Sequence, residues 1–130
     1  MFKKSIFAII VLLGLMALIS GCNLYESLAT VDKVEIIILE SFPVQVNVSV
    51  NGNLPNPCTT ISRVTKYRLD QTFYIRIFTK AIEGACIQML VPFQKNIPLE
   101  VEGLSEGTYY VNVNGKSLGS FTLETDNWMP

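Results

Sequence analysis

Thiols and carboxylates are the side chains of this sequence whose type and spacing could support chemistry. It contains three cysteines, and Glu100 and Glu102 are spaced so that both would lie on one face of a strand. Paired carboxylates can act as general acid and base. The 130 residues include no histidine, which excludes a Ser-His-Asp triad and a Cys-His pair. Because carboxylate pairs on strand faces are mostly just solvated, we predict that the protein is not an enzyme.

The composition also argues against a metal site and against nucleic-acid binding. Cysteines alone are too few here to build a structural zinc site without histidine, so we expect no bound metal. The chain has 10 basic and 11 acidic residues, whereas nucleic-acid-binding domains are usually clearly basic. Basic residues gather in residues 61–95 and acidic ones in 97–130. This asymmetry fits either ordinary solvated faces or a dipolar docking surface.

The first 22 residues have the layout of an export signal. Lys3 and Lys4 precede an apolar run over residues 6–19, and Ser20 and Gly21 come just before Cys22. The stretch Ile19-Ser20-Gly21-Cys22 resembles the lipobox of bacterial lipoproteins. An ordinary signal peptide and a retained membrane helix are the alternatives, although the run is shorter than the roughly 20 residues that a span needs.

The lipobox resemblance implies that a helical signal peptide, residues 1–21, is removed and that Cys22 carries a covalent lipid. Apart from this lipid we expect no cofactor. Residues 22–33 would be the lipidated cysteine and a short tether to the membrane. The protein would be exported to the cell envelope and anchored there. Because Asn23 rather than Asp follows the cysteine, the outer membrane is favoured if the organism has one, and otherwise the outer face of the cytoplasmic membrane.

Lipidation of Cys22 would leave Cys58 and Cys86 as an even pair. In an exported protein such a pair indicates a disulfide. Two buried free thiols are the alternative.

Residues 34–125 show the patterning of one small β-domain. Val44, Val46, Val48 and Val50 alternate with polar residues, which predicts a strand with one buried face. Further strands are predicted over 61–69 and 73–78. Asn51-Gly52-Asn53 follows that strand, and then Pro55 and Pro57 end it and shape a loop. Other signals are a turn at Asp70-Gln71, an edge strand or strand start at Pro98, and a segment, Ile87 to Phe93, that Pro92 leaves open between strand and covering loop.

Residues 104–113 carry the clearest fold signal. Tyr109 is in phase with Val111 and Val113 and follows a turn, an arrangement that resembles the tyrosine corner of immunoglobulin-like and fibronectin type III sandwiches. Asn114-Gly115 then predicts a tight hairpin. The resemblance implies a single immunoglobulin-like antiparallel β-sandwich of about seven strands. It departs from antibody domains because no tryptophan lies between Cys58 and Cys86.

Three features could mediate binding. Tyr74, Arg76 and Phe78 alternate with apolar residues of one strand and form a candidate interaction face, unless a neighbouring strand or the segment Ile87–Phe93 covers them. The loop Asn51–Pro57 could carry recognition or be a plain connector. In the tail, residues 126–130, Trp128 could contact a partner or lipid headgroups, or fold back over the sandwich.

The leading hypothesis is a membrane-anchored envelope lipoprotein that acts as a non-enzymatic binding or adaptor module. Its partner would be an envelope protein or a polysaccharide. A structural accessory subunit of an envelope complex is the first alternative. The second is an inhibitor of an exported hydrolase, which rests on analogy of fold alone.

Overall fold

Alternating apolar and polar residues build eight strands in the part of the chain that the computed structural model describes, residues 26–128. The prediction of an all-β fold is confirmed, with one strand more than expected, and residues 26–128 contain no helix. The strands are β1 Glu26–Leu28, β2 Thr30–Leu39, β3 Gln45–Leu54, β4 Thr59–Leu69, β5 Thr72–Ala81, β6 Val91–Leu99, β7 Gly107–Val113 and β8 Lys116–Leu123.

The strands form two sheets. The larger has five strands: β5 pairs with β4 on one edge and with β7 and β1 on the other, and β7 continues to β8. The smaller has the order β2-β3-β6. Inward-facing side chains of both sheets form one core, as two-layer packing requires. Its fully buried members are Val46, Val48, Val50, Ile75, Ile77, Val111 and Val113.

One strand pair departs from the predicted antiparallel arrangement. β5 and β7 are parallel, with Thr72 opposite Tyr110 and Ile75 opposite Val113. Between them the chain crosses to the smaller sheet to form β6 and then returns. Such a crossover connection is what a parallel pair needs, whereas a tight hairpin would have enforced the antiparallel direction.

The sandwich begins earlier than the sequence suggested. Residues 26–33, expected to be part of the tether, form β1 and the start of β2. Glu26 lies opposite Lys80 of β5, and Thr30 lies opposite Asn53 of β3. The polar composition of this segment suggested a tether, but both strands lie at sheet edges, where polar side chains reach solvent.

The loop expected over Asn51–Pro57 starts later than predicted, because Asn51-Gly52-Asn53 is part of β3, which ends at Leu54 directly before Pro55. The strand continues to Leu54 because β2 and β6 pair with it on both sides. Gly52 is needed there for close packing rather than for a turn. A Cβ at this position would lie 2.7 Å from the Phe93 ring and would collide with the carbonyl oxygen of Thr30.

The segment Ile87–Phe93, which the sequence left open, is divided between a loop and a strand. Residues 87–90 belong to the connection after β5, and β6 starts at Val91. β6 pairs only with β3, so Pro92 and Pro98 lie in an edge strand, where a missing N–H is tolerated.

Two turns follow the sequence signals. Asp70 has φ 54°, and Asn114 and Gly115 have φ 51° and 85°, as a type I′ hairpin requires.

Within β4, a bulge between Ile61 and Arg63 lets both Ile61 and Val64 pack on the core. This bulge explains why Val64 is out of phase with Ile61 in the sequence.

Candidate functional site

The outer face of β5 carries the candidate interaction residues. Phe73, Ile75 and Ile77 are buried. The intervening side chains point away from the core, as the two-residue period of a strand dictates. Of these, Tyr74 and Phe78 are half-buried and Arg76 is exposed.

Side chains of β4, on the same face, partly cover the two aromatic rings. Tyr67 stacks on Tyr74 with ring centroids 5.0 Å apart and an interplanar angle of 16°. The guanidinium carbon of Arg63 lies 4.1 Å from the Phe78 ring centroid, which is cation–π geometry. The Arg63 Nε also donates to a Glu26 carboxylate oxygen at 2.9 Å. The sequence left the cover open between a neighbouring strand and the segment Ile87–Phe93; β4 supplies it, and the strand residues of that segment belong to the other sheet.

Arg76 lies between these two stacked pairs. It is opposite Thr65 and forms no ion pair with any carboxylate of residues 26–128. We call Arg63, Tyr67, Tyr74, Arg76 and Phe78 the aromatic face. Leu28 of β1 and Tyr110 of β7 extend it on the far edge of β5, and both are about half exposed.

The aromatic face combines stacked rings with an arginine that forms no ion pair within residues 26–128. Its rings are held in fixed orientations by stacking, so that little side-chain entropy remains to be lost when a partner docks. Tyrosine, phenylalanine and arginine are the residue types enriched at protein interfaces. The free guanidinium of Arg76 can donate hydrogen bonds to a carboxylate or another planar acceptor.

Arg63 and Tyr67 were missed at the sequence level. They belong to the same face as Tyr74 and Phe78 only because of the bulge after Ile61. The out-of-phase position of Val64 was the one available signal of that bulge.

The cysteines and the corner tyrosine have defined environments. Cys58 and Cys86 form a disulfide with a Cα–Cα distance of 6.2 Å, which joins the start of β4 to the connection between β5 and β6. The Tyr109 hydroxyl donates to the carbonyl oxygen of Ser105 at 2.8 Å, four residues upstream. Cys22 lies outside the described residues.

Asp126 and Asn127, near the C-terminus, are hydrogen-bonded to the sandwich. Asn127 is fully buried, and its side-chain amide bonds to Val44 and Val101. Asp126 accepts a hydrogen bond from the backbone N–H of Glu106 at 2.8 Å. Trp128 directly follows Asn127 and is 44% exposed, so that it is held at the surface.

Glu100 and Glu102 line a groove of about 310 Å³ together with Lys66 and Arg68. The Lys66 ammonium donates to the carbonyl oxygen of Pro98 at 2.6 Å and thereby links the edges of the two sheets. The groove brings together the basic and acidic parts of the chain.

Residues 26–128 contain no group of three or more acidic or cysteine side chains that could hold a metal ion. They also contain no helix that is long and apolar enough to cross a membrane.

The two packed sheets define a small β-sandwich domain. The chain belongs to the family described as the ORF11 beta-sandwich domain, whose family model matches residues 48–123. It is also similar to a protein of Herpetosiphon aurantiacus described as an uncharacterised 10.2 kDa protein in the HgiCIIM 5′ region. The two are 33% identical over 85 residues, which is 65% of this chain and 89% of that protein. No solved structure matches the chain.

Proposed function

We propose that this protein is a membrane-anchored envelope lipoprotein whose sandwich acts as a non-enzymatic binding module. In this proposal the lipid sits on Cys22 and the partner, a protein of the cell envelope, docks on the aromatic face. The observation that carries it is the free, exposed Arg76 held between the stacked pairs Tyr67–Tyr74 and Arg63–Phe78.

The position of the face supports the proposal. It lies on the flat side of the larger sheet, while the chain leaves toward Cys22 from one end of the sandwich, at Glu26. A domain tethered at its end leaves the sides of its sheets accessible. Buried aromatic and arginine anchors supply most of the binding energy at protein interfaces.

The binding role is tested by affinity capture. The lipidated protein from membranes, solubilised in detergent, is incubated with envelope extract, and captured proteins are quantified by mass spectrometry. We expect one partner whose capture falls about ten-fold with Arg76→Ala and also with Tyr67→Ala, as for interface anchors. Lys33→Ala is the matched control, because Lys33 is an exposed cation on the other sheet. Equal capture by all variants would refute the aromatic face as the docking surface.

The anchor is tested separately. Intact-mass analysis of the protein from membranes should show loss of residues 1–21 and a diacylglyceryl group on the N-terminal cysteine. Cys22→Ser should abolish both modifications and leave the melting temperature of the sandwich unchanged. An unmodified Cys22 in the membrane fraction would refute lipidation.

A second candidate function, structural accessory of an envelope complex, is favoured by the edge of β2. This strand pairs only with β3, and its free edge carries the exposed consecutive residues Ile37, Ile38 and Leu39. An apolar unpaired edge is a template for pairing with another chain. Native electrophoresis of detergent-solubilised membranes separates the two candidates: an accessory co-migrates with a large assembly and loses this with Ile38→Lys, whereas a module docking through the aromatic face is unaffected by that change.

A further inference from the structure

The connection between β5 and β6, residues 82–90, exposes four large apolar side chains. We call this segment the apolar loop. Ile87, 73% exposed, is the most exposed large apolar side chain of residues 26–128, and Ile82, Met89 and Leu90 are more than half exposed. Large apolar side chains exposed together in one short segment are a feature of interaction sites.

The apolar loop is fastened to the domain at several points. The disulfide joins its Cys86 to Cys58, and the N–H of Ile82 donates to the Cys58 carbonyl oxygen at 3.0 Å. Leu90 lines a groove together with Leu28 and Pro55. The exposed side chains are therefore presented by a constrained segment, which lowers the entropy that binding would cost.

The loop lies at the end of the sandwich from which the chain leads to Cys22. Glu26 is opposite Lys80, and the loop begins two residues after Lys80. Cys22 precedes Glu26 by four residues, which span at most about 14 Å when fully extended. A lipid on Cys22 would hold the membrane surface within that distance of this end of the domain.

We propose that the apolar loop is a second membrane contact, whose ligand is the acyl-chain boundary of the bilayer in which the lipid of Cys22 is inserted. The inference rests on the proposed lipid anchor. The narrow space between the anchored end and the membrane leaves lipid rather than another protein as the surface that covers the loop. The two acyl chains of a diacylglyceryl group attach the protein to the bilayer, and apolar side chains inserted beside them would add to this attachment and fix the orientation of the domain.

Tryptophan fluorescence tests this contact, because Trp128 is the only tryptophan. In a Trp128→Phe background, Ile87→Trp places the probe in the apolar loop. Leu69→Trp places a control of similar exposure at the last residue of β4, at the opposite end of the sandwich. The purified lipidated proteins are reconstituted in phosphatidylethanolamine–phosphatidylglycerol vesicles with or without brominated acyl chains. Thermal unfolding verifies that both variants fold.

We expect brominated lipid to reduce the emission of the position-87 probe about two-fold, because bilayer insertion of an interfacial segment brings it next to the acyl chains, and to leave the position-69 probe unchanged. Absence of quenching at both positions in protein that floats with the vesicles would overturn the loop contact but leave the anchor intact. Protein that does not float would overturn the anchor and the contact together. A third outcome is blue-shifted but unquenched emission at position 87, in protein whose intact mass shows that residues 1–21 are still present. This result would overturn the membrane contact and indicate instead that the chain's own apolar run over residues 6–19 covers the apolar loop.

Discussion

The side-chain amide of Asn127 pairs with the backbone of Val44 as a neighbouring strand would. Its Oδ1 accepts from the Val44 N–H at 2.7 Å, and its Nδ2 donates to the Val44 carbonyl oxygen at 3.0 Å. The same Nδ2 donates to the Val101 carbonyl oxygen at 2.9 Å. One buried side chain thus closes the end of the sandwich by joining the segment before β3 to the segment after β6.

Asn127→Ala should lower the free energy of unfolding by about 2–4 kcal/mol, because it leaves polar backbone groups at Val44 and Val101 without partners. Asn127→Asp should also destabilise, since a carboxylate cannot donate to the two carbonyl oxygens. Urea unfolding measures both. Asn96→Ala, at an exposed position of β6, is the control and should change stability little. Equal stabilities of Asn127→Ala and Asn96→Ala would contradict this role.

Local patterning could predict the strands but not the hydrogen bonds of the Asn127 side chain. The alternation of Val46, Val48 and Val50 predicts a half-buried strand because a strand's period is a local property. The bonds of Asn127 to Val44 span 83 residues, and nothing in the sequence near either residue signals them. The predicted start of a loop at Asn51 was wrong for a related reason, since pairing of β3 with strands on both sides outweighed a local preference.

The candidate face was only half predictable. Tyr74, Arg76 and Phe78 could be found because β5 alternates without interruption. Their partners Arg63 and Tyr67 could not, because a bulge in β4 changes the face on which its residues lie.

Asn114 supports a second prediction. Its Oδ1 accepts from the Ile77 N–H at 2.8 Å and its Nδ2 donates to the Ala29 carbonyl oxygen at 2.7 Å, so that it bridges the gap along β5 between β7 and β1. Asn114→Gly keeps the left-handed backbone but loses both bonds and should cost about 1–2 kcal/mol. Asn114→Ala should cost about 1 kcal/mol more, because alanine is strained at φ 51°. Thermal denaturation should give this order, and hydrogen exchange at the Ile77 N–H should accelerate in both variants. A stability of Asn114→Gly equal to wild type would disprove the bridge.

Gly52 supports a third prediction, on packing. Gly52→Ala should destabilise by about 2–3 kcal/mol, because overpacking against the Thr30 backbone and the Phe93 ring forces neighbouring strands apart. Gly119→Ala is the matched comparison within β8. Its added Cβ would meet the end of the Ile36 side chain at 2.8 Å, which can rotate away, so the loss should be smaller. Chemical denaturation of both variants measures the order, and a reversed order would refute the assignment.

The disulfide supports the last prediction. It closes a loop over a sequence separation of 28 residues, which on the chain-entropy estimate stabilises the fold by about 3–4 kcal/mol. The double variant Cys58→Ala/Cys86→Ala should therefore melt at a lower temperature than the oxidised protein. Reduction of the wild type with dithiothreitol should move its melting temperature toward that of the variant. The variant also releases the apolar loop from the start of β4, so proteolysis should cut first within residues 82–90. Identical melting curves for the oxidised wild type and the double variant would show that the disulfide does not restrict the conformations of the unfolded chain enough to stabilise the fold. A lower melting temperature of the variant without preferential cleavage in the apolar loop would show that the disulfide stabilises another part of the fold.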